Sequence, residues 1–167
     1  MIILGLDPGT ATTGYGIIER DARGTLHPIE FGCIQTPSGI EQAARLKQLR
    51  DNLLELINKH KPQHAGIEQL FFTNNAKTVM HVSQARGVAL EALYSSNILI
   101  GEYTPLQVKQ AVTGYGKADK MQVQKMVKTL LKLEQIPKPD DAADALAIAI
   151  CRANTFLPHQ TSRYFHD

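Results

Sequence analysis

The chain has 167 residues, 43% of them hydrophobic, and a formal net charge of +2. That length and apolar share suit one domain with a real core and exclude an intrinsically disordered chain. The near-neutral balance is not that of a polycation, so any case for a nucleic-acid partner must rest on where the charges sit.

The opening MIILGLDPG carries no basic leader and reads as a first strand rather than a signal peptide. No run approaches the roughly 18 to 20 apolar residues that span a membrane. A soluble cytoplasmic protein with no membrane partner is expected. Cys33 and Cys151 are far apart and form no C-x-x-C pair, which excludes a zinc ribbon; two buried thiols are expected. The six histidines lack metal-ligand spacing and read as surface or core residues.

In chain order, residues 2–7 (IILGLD) form an apolar run stopped by Pro8-Gly9, which predicts a buried strand. Strands at 14–20 and 25–35 follow across the turn residues Asp21 to Gly24, the third irregular around Pro28. Three strands with short links predict an antiparallel meander. The period then changes. Leu46, Leu49, Leu53, Leu56 and Ile57 recur at helical spacing, so 40–60 is an amphipathic helix ending before Lys61-Pro62. A fourth strand at 63–68 and a helix at 76–95 come next, with Ser83, Ala85, Gly87 and Ala89 suiting close packing of that helix. A fifth strand at 97–103 and helices at 105–113, 120–133 and 140–154 complete a domain spanning 1–155, with 156–167 a flexible tail. The order predicts an α/β fold, a five-stranded mixed sheet flanked by helices.

Asp7 closes the first strand and Glu68 the fourth. An ionised carboxylate at the end of an apolar strand is costly without a partner. If strands one and four lie side by side and parallel, both carboxylates project from one sheet edge, where open α/β sheets bind ligands. In PDDAADALAIAI (139–150), Asp140 suits a helix N-cap, while Asp141 and Asp144 share a helical face. That pair has two readings: it complements the helix dipole, or it completes a metal site with Asp7 and Glu68. Together the four carboxylates suit Mg2+, which prefers carboxylate oxygens and keeps waters for substrate phosphates. Two such ions about 4 Å apart clamp the attacking and leaving oxygens of a phosphoryl displacement.

These residues resemble the RuvC family of Holliday junction resolvases, within the ribonuclease H-like superfamily. The resemblance runs from the first strand to about residue 155. It is carried by ILGLDPGTATTGYGII (3–18), IEQLFF (67–72), QARGVAL (84–90), QVKQAVTGYG (107–116) and DDAADALAIAI (140–150). It implies a magnesium-dependent crossover junction endodeoxyribonuclease in which Asp7, Glu68, Asp141 and Asp144 bind two Mg2+ ions, with Mn2+ able to substitute. It implies a homodimer that nicks four-way junction DNA symmetrically in recombination and repair, preferring short thymine-containing sites, with the RuvAB branch-migration complex as partner. It also implies that lysines matching Lys109 and Lys120 lie near the active site and matter for cleavage, that Phe71 matches a stacking phenylalanine, and that a dimer seam runs around helix 76–95. On this reading one ion activates water and the other stabilises the leaving 3′ oxygen, giving a 5′ phosphate. Asp7 bridges both ions, Glu68 and Asp144 complete their shells, and Asp141 binds or orients the water.

The charge distribution supports a DNA-facing side. Residues 104–138 carry seven lysines against Asp119 and Glu134, a local +5 that leaves −3 for the rest. In 120–133, Val123, Met126, Val127 and Leu130 form one face and Lys125, Lys128 and Lys132 the other, either a solvated surface or a phosphate contact. The GYGKADK loop (114–120) offers glycines for close backbone approach and Lys117 and Lys120 for phosphate charge, without Walker spacing. Tyr115 is a further candidate DNA contact. Phe71 and Phe72 suit stacking on an unpaired base, against core packing as the alternative. Rival readings are a YqgF-type RNA-processing nuclease, a sugar-kinase or actin-like ATPase fragment suggested by Asp-Pro-Gly-Thr, and a non-catalytic junction-binding module.

Overall fold

The structure is a computed structural model that describes residues 1–9, 11–70 and 76–155. The expectations for Phe71, Phe72 and the tail at 156–167 lie outside the described residues.

Three strands, β1 (Ile2–Asp7), β2 (Thr12–Arg20) and β3 (Leu26–Gln35), form the expected antiparallel meander. Helix α1 (Gln42–His60) then crosses to β4 (His64–Glu68), which pairs with β1 in parallel. Helix α2 (Ala76–Ser95) leads to β5 (Leu99–Tyr103), parallel to β4. Helices α3 (Pro105–Thr113), α4 (Lys120–Leu130) and α5 (Asp140–Thr155) follow. The sheet order is β3-β2-β1-β4-β5. Pro28 sits on edge strand β3, beside a register shift between Ile17 and Ile18 of its neighbour, where a missing N–H is tolerated.

The sheet separates two cores. Leu4, Leu6, Ile17 and Ile67 pack with Leu49, Leu53 and Ile57 of α1 and Ala85, Ala89 and Leu93 of α2. Ile3 and Ile18 on the other face pack with Val108 and Val112 of α3, Val123 and Val127 of α4 and Leu146 and Ile150 of α5. Helix α5 is apolar nearly all round because it is buried nearly all round, touching β1, β2, β4, α3 and α4.

What lets α5 settle so near the sheet is a row of glycines. Gly16, Gly5 and Gly66 are lateral neighbours across β2, β1 and β4, each facing α5. A Cβ on Gly5 would stand 2.0 Å from the Ala145 carbonyl and 2.9 Å from the Ala149 methyl. A Cβ on Gly14, one row toward the strand ends, would stand 2.0 Å from the Asp141 carbonyl. Glycine inside a strand marks such close approach, and alanines on α5 complete the fit. This spacing was not read from the sequence, although Gly5, Gly14, Gly16 and Gly66 within predicted strands signal it.

Several local expectations change. Helix α4 stops at Leu130 instead of 133, because Lys132 is left-handed (φ 53°) and the Leu133 N–H folds back to the Lys128 carbonyl at 2.9 Å. In α2, Ala85 and Ala89 are buried, but Ser83 and Gly87 lie on its exposed side, so the small residues do not form one packed stripe. Cys151 is buried, whereas Cys33 on edge strand β3 is only half-buried.

Candidate active site

The parallel pairing of Leu6 with Ile67 makes Asp7 and Glu68 the next neighbours, both at the carboxyl ends of central strands. The close approach of α5 brings its first turns over this edge. Asp7, Glu68 and Asp144 line one open cleft, walled by Val108 and Lys109 of α3 and by Lys120 and Val123 of α4. Asp141 does not line it. It lies on the β2 side, its backbone against Gly14, near enough for its charge to act on Asp7 and on the Cys33 thiol.

Electrostatics show what this crowding costs. Burial first, then the charges of Glu68, Asp144 and Asp141, push the Asp7 carboxyl up to about 7. Glu68 is raised by burial and by Asp144, with Lys109 opposing. Asp144 is raised by burial against the pull of Lys120. Like charges held together behave in this way, and a divalent ion would relieve it. Among the described residues the cleft offers hard carboxylate oxygens with no thiol or imidazole, a donor set that suits Mg2+ or Mn2+. As they stand, no three His, Cys, Asp or Glu side chains among the described residues converge tightly enough to hold an ion. A cation would have to draw them in.

Lys120 partly fills that role. Its ammonium lies 3.1 Å from Asp140 and 3.3 Å from Asp144. Burial alone would lower its affinity for a proton, but the two carboxylates reverse this and raise it. Asp140 is therefore not the N-cap expected of it. It is the first residue of α5, and its carboxylate accepts from Lys120 and from Gln124 Nε2 at 3.2 Å. Gln124, buried on α4 between Val123 and Val127, was not singled out in the sequence; a polar residue within an apolar stripe is the signal that could have found it.

The other basic candidates divide. Lys109 lines the cleft with Lys120. Lys117 and Tyr115 are exposed on the α3–α4 loop, outside the lining. That loop is well braced. Thr113 Oγ1 accepts from the Tyr115 N–H at 3.1 Å, Gly114 takes the left-handed conformation, and an Asp119–Gln122 capping box starts α4. It thus holds Tyr115, 58% exposed, out in solvent. Lys125 is exposed on α4 and does not line the cleft.

Residues 3–152 match the family described as Crossover junction endodeoxyribonuclease RuvC. A protein of that name from Desulforamulus reducens is 56% identical over 153 residues, which is 92% of this chain and 93% of the relative. The RuvC structure from Thermus thermophilus is 30% identical, with a TM-score of 0.85 over 92% of this chain and 93% of that one. The same protein in complex with Holliday junction substrate is similar at a TM-score of 0.84 and 27% identity, with the same coverage. The fold is thus ribonuclease H-like, as the resemblance implied.

Proposed function

The chain belongs to the crossover junction endodeoxyribonuclease RuvC family, and from that premise we propose that it resolves Holliday junctions by paired, symmetric phosphodiester hydrolysis in DNA recombination and repair. One observation carries the reading: Asp7, Glu68 and Asp144 line a single cleft between Lys109 and Lys120. The raised Asp7, Glu68 and Asp144 carboxyls support this reading, since added positive charge would relieve them.

Asp7, Glu68 and Asp144, with Asp141 from the β2 side, are the groups that would hold Mg2+, two ions per site, with Mn2+ as a substitute. Bound ions supply charge neutralisation at the scissile phosphate and a water acidic enough to attack at neutral pH. Lys109 and Lys120 place fixed positive charge where the phosphate oxygens gain negative charge. Asp140 and Gln124 orient Lys120 from behind. The apolar wall of Val108 and Val123 limits water on one side. Tyr115, Lys117 and Lys125 serve as DNA contacts outside the cleft. Phe71 and Phe72 serve as base-stacking groups, a role that rests on sequence and resemblance alone.

The protein acts as a homodimer, because two nicks related by a two-fold need two sites at fixed separation. The seam runs along the outward side of α2, where Met80 and Tyr94 are 64% and 70% exposed and Gly87 has open space. RuvAB is its branch-migration partner, and the cytoplasm its compartment. No helix among the described residues is long and apolar enough to cross a membrane.

The test is cleavage of a labelled four-way junction against linear duplex of the same sequence, with Mg2+ or EDTA. Paired nicks confined to the junction and lost in EDTA are expected. Tight binding without nicks in Mg2+, or with Mn2+ in its place, would make the chain a binding module, and indifference to the junction would favour an RNA-processing nuclease.

A further inference from the structure

Glu68 is the last residue of β4, and its main-chain carbonyl meets a gap in the sheet. The Gln69 N–H donates to the Tyr103 carbonyl on β5 at 2.8 Å. Strand alternation therefore turns the Glu68 carbonyl the other way, toward β1. There the chain has passed Leu6, the partner of Ile67, and has reached Pro8, which has no N–H to donate. A carbonyl so placed needs another donor. Arg86 of α2 supplies it: its Nε lies 3.0 Å from the Glu68 oxygen. The same guanidinium pairs through Nη2 with Glu102 of β5, the lateral neighbour of Ile67. The Arg86 side chain is only 16% exposed. One planar group thus ties the end of β4 to β5 from the helix above.

We infer that Arg86 is a positioning residue for Glu68: by holding the carbonyl that β1 cannot bond, it sets the direction in which the Glu68 carboxylate enters the cleft. Neither Arg86 nor Glu102 lines that cleft, so the effect passes through the β4 backbone. Lysine cannot replace arginine here, because a single ammonium cannot span the carbonyl and the Glu102 carboxylate with a fixed fork. The inference rests on the reading of Glu68 as a metal-binding carboxylate.

The experiment compares the full chain with Arg86→Gln, Arg86→Lys and Glu68→Gln. Mn2+ binding is read from the electron paramagnetic resonance of free Mn2+, well below each melting temperature. Junction binding is measured in EDTA and cleavage in single turnover. Both Arg86 variants are expected to bind Mn2+ about tenfold more weakly and to cleave more slowly, with metal-free junction binding within about twofold of wild type. A merely structural role would lower the melting temperature and leave Mn2+ affinity unchanged. If Arg86→Gln does not fold, Arg86→Lys decides by the same readout. Loss of Mn2+ affinity in Glu68→Gln but not in Arg86→Lys would overturn the role of Arg86 alone. Unchanged affinity in Glu68→Gln would overturn the reading of Glu68, and this inference with it.

Discussion

Lys120 Nζ lies 3.3 Å from Asp144 Oδ2, so a lysine from the first turn of α4 neutralises a carboxylate from the first turns of α5 across the cleft. The lysine is 54% exposed, and an ion pair in such a setting adds about 1 kcal/mol or less to stability. Its value lies in placing positive charge at the site. Lys120→Met is expected to leave the denaturation midpoint nearly unchanged. It should slow single-turnover cleavage by about 10²-fold, as removal of a charge-stabilising donor does. Rapid-quench kinetics on a junction decide; an undiminished rate would reduce Lys120 to a surface ion pair.

Asp7→Asn removes the most crowded carboxylate in the cleft. Cleavage should vanish while junction binding in EDTA persists, because the basic surface is untouched. Metal-free stability at neutral pH should rise, since a buried acid repelled by three neighbours is gone. Electrophoretic binding and cleavage assays on one preparation test this. Equal loss of binding and cutting would contradict the division between metal site and DNA surface.

The same carboxyl predicts a proton count. With Asp7 pushed up to about 7, roughly half of the metal-free molecules carry its proton at pH 7. Because its pKa is raised on folding, Asp7 contributes stability at low pH that is lost as pH rises through about 7. A divalent ion needs the ionised form, so Mg2+ binding should release about half a proton at pH 7 and almost none at pH 8.5. Calorimetry in buffers of different ionisation enthalpy measures this release. Equal release at pH 7 and pH 8.5 would contradict the raised Asp7 carboxyl.

His64 behaves in the opposite sense. Burial, then the charge of Arg152, lowers it to about 4, with Arg152 Nη2 3.1 Å from its Nδ1. Its folded pKa is below the unfolded value, so the stability is present above about 6.5 and is lost as pH falls toward 4. In an Asp7→Asn background, His64→Gln should flatten that acid limb, worth on the order of 2 kcal/mol between pH 6.5 and 4.5. Urea midpoints at the two pH values check it.

The glycine row makes a steric prediction. Gly5→Ala sets a methyl within 2.0 Å of a backbone carbonyl of α5, whereas the nearest contact for Gly66→Ala is at 3.0 Å. Gly5→Ala should cost about 3 kcal/mol or more, since a helix backbone has to move, and Gly66→Ala clearly less. Thermal melts of the two variants test the ranking. A lesser cost for Gly5→Ala would mean that α5 stands farther from β1 than this contact requires.

Much of this molecule was legible along the chain. The spacing of Leu49, Leu53 and Ile57 marked α1, the apolar runs ending at Asp7 and Glu68 marked β1 and β4, and Pro8 and Pro62 marked the ends of β1 and α1 to within a few residues. Periodicity is a local property, carried by neighbours three or four positions apart, so sequence suffices for it. That Asp7, Glu68 and Asp144 would approach one edge was foreseeable, because strand ends and one helical turn restrict where carboxylates can point. Their sharing of the work was not. That Asp144 lines the cleft while Asp141 stands aside, that Lys120 takes Asp140 away from capping, and that Arg86 reaches the Glu68 carbonyl all depend on how closely helices approach the sheet. Glycines and alanines distant in sequence determine that distance together, through excluded volume, and only the packed tertiary structure decides it.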